Sequence, residues 1–256
     1  MSERSRGGRA RAAAWIGAAA LLATACSSGN GSSTGSGTPT GTGKVTAVPS
    51  GDPNAQGDAV PDAKELASRL SATDQPSAQF VSAPEAQLTP YPTPFFGKGG
   101  VFKVLRNLPT HPALLFVGWS PELVVALTAK PDAFTQLAAK AGLSLDTPEK
   151  RNGYVRAYYE TTRIMSKRFE VLDKIEDIKA RPNMPPPEQA RFAEIQKTHG
   201  PVVKPVSMSD AAPYKGSIFA AKDMALVRYD VTLSANGEVD AKETVLEPSL
   251  PIAIAR

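Results

Sequence analysis

The chain of 256 residues contains one cysteine, two histidines and few aromatic residues, 7% of the total. A single cysteine excludes an intramolecular disulfide, and a lone thiol in an exported protein calls for a special reason. Two isolated histidines, His111 and His199, with no cysteine cluster, leave no ligand set for a zinc site. No serine is followed by lysine three residues on, which excludes that signature of penicillin-binding and β-lactamase chemistry. "GWSPE" (118–122) begins like a nucleophile elbow, but Glu122 replaces the second glycine. Pro121 also has no N–H to offer an oxyanion. "FFGKGG" lacks the spacing of a phosphate-binding loop. No catalytic residue, metal site or cofactor is therefore expected. The formal charge of +4 falls to +1 once Arg4, Arg6, Arg9, Arg11 and Glu3 are set aside with residues 1–25. A near-neutral remainder has no electrostatic footprint for nucleic acid.

What is present begins at the N-terminus. An arginine-rich start is followed by the uncharged run "AAAWIGAAALLATA" (12–25), and small residues precede Cys26. This is the layout of an export signal, and the run is shorter than the ~20 apolar residues of a membrane span. "LATAC" (22–26) resembles the lipobox of bacterial lipoproteins, with Ala23 at the position where leucine is commonest. The resemblance covers about 26 residues. It implies a diacylglyceryl thioether on Cys26, cleavage just before it, and a chain anchored to the cell membrane on its extracytoplasmic face. Two acyl chains are what stable anchoring requires. Residues 27–60 are rich in Gly, Ser and Thr with few and small apolar side chains, too little to offset the entropy of ordering. They read as a tether with an r.m.s. span of about 32 Å.

The remaining segments predict a foldable length of roughly 160 to 195 residues, enough for a sizeable core. Residues 61–96 read as a short helix capped by Asp62 and a Pro-rich extended arm. Residues 97–256 read as a single α+β domain. Strands are expected in "VFKVLR", "ALLFVGW" and "ELVVALT", the last two as apolar runs buried on both faces. Helices are expected from Pro131 to Gly142, through "DTPEKRNGYVRAYYETTRIMSKRF" and in "PPPEQARFAEIQKTHG". "RFEVLDKI" suits a strand or a helix extension. "MALVRYDVTL" alternates from Val227 to Leu233, and Asn236-Gly237 predicts a hairpin to a returning strand. The fold class is α+β: a largely antiparallel sheet, two or three packed helices and a C-terminal β-hairpin.

Tyr154, Tyr158, Tyr159 and Arg163 fall along the main helix and are the expected lining of a cleft between that helix and the sheet. Glu170, Asp173, Glu176 and Asp177 form an acidic cluster, but Arg168, Lys174, Lys179 and Arg181 interleave with it. A solvated, charge-balanced surface is the expected role. The sequence thus reads as a membrane-anchored envelope lipoprotein with a binding or interaction domain. An envelope enzyme with an unrecognised site and a structural partner of the cell wall or of an envelope protein are the alternatives.

Overall fold

The computed structural model describes residues 60–109 and 111–252. Cys26 and the segments on either side of it, up to residue 59, lie outside the described residues. The described residues fall in one compact unit of the chain, which is bounded by Pro53 and Arg256.

Helix α1 (Ala63–Ser71) starts at Asp62, whose carboxylate accepts the Glu65 N–H at 2.8 Å. Helix α2 (Gln75–Val81) follows, capped in the same way by Asp74. Strands β1 (Ala86–Tyr91), β2 (Gly100–Asn107), β3 (Pro112–Trp119) and β4 (Val124–Ala126) form an antiparallel sheet in chain order. The Pro-rich arm thus begins as the edge strand β1, where the lost N–H of Pro90 is tolerated. Helix α3 (Pro131–Lys140) has Pro131 in its first turn, and Gly142 beyond its end sits at φ +67°. Helix α4 (Pro148–Thr161) is capped by Thr147.

Strand β5 (Phe169–Leu172), helix α5 (Pro186–His199), and strands β6 (Ser207–Met208), β7 (Tyr214–Lys222), β8 (Ala225–Leu233) and β9 (Val239–Glu247) complete the fold. The second sheet is antiparallel in the order β5-β7-β8-β9, with β6 paired to β7. The α+β class and the C-terminal hairpin follow the expectation, and the antiparallel strands divide between two sheets. Helix α4 stops at Thr161, short of the span its spacing suggests. The hydroxyls of Thr161 and Thr162 turn back onto the carbonyls of Ala157 and Tyr158, at 2.7 and 2.6 Å. Such back-bonding competes with continued helix.

Three apolar clusters hold these elements. The largest joins Phe134 and Leu137 of α3 and Tyr154 and Val155 of α4 to Phe116 of β3 and to Ile218, Val227 and Leu233 of the second sheet. A second packs Leu66, Leu70 and Val81 of α1 and α2 on Phe102, Val104 and Val117, the opposite face of the first sheet. A third packs Ile195 of α5 on Phe219, Ala221 and Leu226. Central strands are therefore covered on both faces: neighbours Phe116 and Val117 enter different clusters, as do Ile218 and Phe219. This is why "ALLFVGW" and "SIFAA" are apolar without alternation. Strand β8 keeps Val227, Tyr229, Val231 and Leu233 on its inner face, as its alternation predicts.

Candidate functional site

Where α4 ends, the chain turns through residues 162–168 into β5, and a cavity of ≈ 450 Å³ opens beside the turn. Tyr158, Tyr159 and Arg163 line it, joined by Ile164, Lys167, Arg168, Phe169 and Lys222, with Ala129 and Pro131 from the entry to α3. The volume falls in the ~300–1,000 Å³ range of small-molecule sites. Ala129 holds a left-handed backbone at φ +59°, unusual for a residue with a Cβ, and its N–H donates to the Arg163 carbonyl at 3.3 Å. One wall of the cleft is thereby tied to the other. A second cleft of ≈ 470 Å³ shares Ala129 and Pro131 with it and is lined by Asp74, Lys130 and Asp132.

The aromatic wall is rooted in the core. Tyr159 stacks on Phe169 with ring centroids 6.0 Å apart and planes within 7°, and leans on Tyr229 at 4.9 Å. Tyr158 meets Phe134 edge to face at 5.7 Å. Burial raises the pKa of both cleft tyrosines above the ordinary phenol value. Tyr158, Glu243 and Asp240 add to the effect at Tyr159, and Asp132 adds to it at Tyr158. Both phenols are neutral hydrogen-bonding groups at physiological pH.

Four cations and no carboxylate line the cleft. The counter-charges of two stand outside it: Lys222 pairs with Glu243 at 2.6 Å, and Arg168 with Glu170 at 3.4 Å. Arg163 donates through Nη1 to the Phe169 carbonyl at 2.5 Å, and its Nε–H is buried with no acceptor among the described residues. Lys167 is exposed and, among the described residues, forms no ion pair. Of the expected site residues, the structure brings Tyr158, Tyr159 and Arg163 together.

Tyr154 is a correction. It is fully buried, packed against Phe95 and Phe134 with centroids 5.2 Å away, and its hydroxyl donates to the Gly237 carbonyl at 2.6 Å. It lies one helical turn before Tyr158, deeper in the main core, and does not line the cleft. Lys222 and Phe169 were outside the expected lining. They come from β7 and β5, and only pairing between distant strands places them beside α4.

The other candidates have structural roles. The Ser120 hydroxyl accepts the Leu123 N–H at 3.1 Å within a turn. Asp173 pairs with Arg156 at 2.7 Å, and the Asp177 carboxylate accepts the N–H groups of Asp173 and Lys174. No group of three or more potential metal ligands occurs among the described residues. Behind Arg163, Tyr91 donates to Glu160 at 2.6 Å, and Glu160 pairs with Arg156 at 2.9 Å, which ties β1 to α4.

The fold and cleft define an α+β domain with a ligand-sized, aromatic and cationic recess. No protein family, curated protein or solved structure matches the chain.

Proposed function

We propose that the chain is a lipid-anchored lipoprotein of the cell envelope whose α+β domain binds a small ligand in the cleft at the end of α4. The observation that carries the binding role is the convergence of Tyr158, Tyr159 and Arg163, with Phe169 and Lys222, on one cavity of ≈ 450 Å³. An apolar body with a few convergent polar groups is the general character of binding sites. The lining holds no carboxylate, histidine or cysteine to act as general base or nucleophile, and its one hydroxyl outside the tyrosines, Thr162, is committed to the Tyr158 carbonyl. The aromatic and cationic groups that do line the recess support a recognition role. The anchoring role rests on the lipobox-like "LATAC", with Cys26 as the lipidated residue. Among the described residues no helix is long and apolar enough to cross a membrane.

Two experiments test the two halves. Detergent phase partition of wild type and Cys26→Ser is expected to move the variant to the aqueous phase; partition of both with the detergent removes the lipid anchor from the proposal. For the cleft, ligand-observed NMR screening of fragments on the Pro53–Arg256 unit is expected to give hits that disappear in Ile164→Glu. Ile164 is 47% exposed, so its replacement leaves the core intact. Hits indifferent to that change, or no hits, count against the cleft.

A further inference from the structure

The cleft has a direction as well as a volume. Its floor is aromatic: Tyr159 is stacked on Phe169, and Tyr158 is fixed edge-on by Phe134. Its rim is cationic: Lys167 and Arg168 close the turn out of α4, and Lys222 ends β7. Two of the four cations, Arg163 and Lys167, have no carboxylate partner among the described residues, while Arg168 and Lys222 have theirs outside the cavity. The Asp132 carboxylate near Tyr158 belongs to the neighbouring cleft. Surplus positive charge at the mouth of a partly desolvated recess focuses potential onto an anion. The planar fork of donors of an arginine suits a carboxylate or phosphate oxygen. Exposed Ile164 adds apolar surface next to these charges.

We infer that the cleft takes an anionic amphiphile: a single carboxylate or phosphate head at Arg163 and Lys167, with an apolar body laid against Tyr158, Tyr159 and Ile164. This inference rests on the cleft being the binding site. The ligand is a free monomer, since the recess of ≈ 450 Å³ is of small-molecule size and a flat bilayer surface would leave its aromatic floor unfilled.

The test is calorimetric titration of the Pro53–Arg256 unit with four probes of one chain length, below their micellar concentrations. These are decanoate, decyl phosphate, decanol and decyltrimethylammonium. Both anions are expected to bind about fivefold or more tightly than decanol, and the cationic probe not at all, with the preference shrinking as salt rises. Lys167→Glu is expected to erase most of the preference for the anions over decanol. Its side chain is exposed and makes no ion pair among the described residues, so the variant is expected to melt at the wild-type temperature. Equal binding of decanol and the anions overturns the anionic class while leaving the cleft as a binding site. Failure of all four probes, with the domain folded, overturns the inference and weighs against the cleft itself. Sedimentation with phosphatidylglycerol vesicles, lost in Lys167→Glu and seen without binding of any monomeric probe, overturns the inference in favour of a bilayer headgroup.

Discussion

Tyr154 donates a hydrogen bond to the carbonyl of Gly237, 83 residues away, and so fastens the middle of α4 to the turn of the C-terminal hairpin. Gly237 sits at φ +89°, and a Cβ there would lie 2.6 Å from the Tyr154 hydroxyl oxygen. The turn residue and the tyrosine are fitted to one another. The hairpin is thus fixed on the same helix whose C-terminal end shapes the cleft.

This contact separates a core tyrosine from the cleft tyrosines. Tyr154→Phe removes the donor and leaves a buried carbonyl unpaired, a loss of about 1–3 kcal/mol. Tyr154→Ala also opens a cavity and is expected to cost about 3–5 kcal/mol. Gly237→Ala combines a positive φ with a steric clash and is expected to destabilise by more than ~1 kcal/mol. Denaturant unfolding checks all three. A Tyr154→Phe variant as stable as wild type would show that the bond contributes nothing.

Alkaline stability follows from the phenols. Tyr91, Tyr154, Tyr158, Tyr159 and Tyr229 are all held above the ordinary value of 10, with burial as the first cause in each. In the unfolded chain they ionise near pH 10. Their contribution is therefore complete below pH 10 and is lost as pH rises above it, because the unfolded state then holds fewer protons. Absorbance titration at 295 nm is expected to show at most a minor fraction of the phenols ionising reversibly near pH 10, with the rest released on unfolding. Full ionisation of a folded domain near pH 10 would contradict the burial of these rings.

Acid stability follows from Glu243, whose carboxyl is held below its ordinary 4.5 chiefly by the hydrogen bond from Lys222 and also by that from Tyr229. A depressed carboxyl gives stability that is present above pH 4.5 and is lost as pH falls through the lower folded value. Glu243→Gln is expected to lower stability at pH 7 and to make it less dependent on pH between 5 and 3. Wild-type and variant curves that stay parallel over that interval would show that the pair is energetically silent.

The fold was legible wherever one face of an element repeats. The apolar face of α3 (Phe134, Leu137, Ala138, Ala141) and the alternation of β8 both give buried residues, and Asn236-Gly237 marks the hairpin. Strand β7 was not legible: Gly216 and the small Ala220 and Ala221 interrupt any pattern, because both of its faces are covered. Division into two sheets depends on long-range pairing, such as Val171 with Ala220, that no local period records. The same limit applies to the cleft. Tyr158, Tyr159 and Arg163 share one helical end and were visible there. Phe169 and Lys222 reach it only through the β5–β7 pairing, and Ala129 through a bond to the Arg163 carbonyl.

The most direct measurement is native mass spectrometry of the Pro53–Arg256 unit, purified under gentle conditions from its own host as wild type and as Ile164→Glu. The expected result is a stable small-molecule adduct on the wild type that is absent from the variant. A bare chain in both, or the same adduct on both, would contradict a ligand-binding cleft at the end of α4.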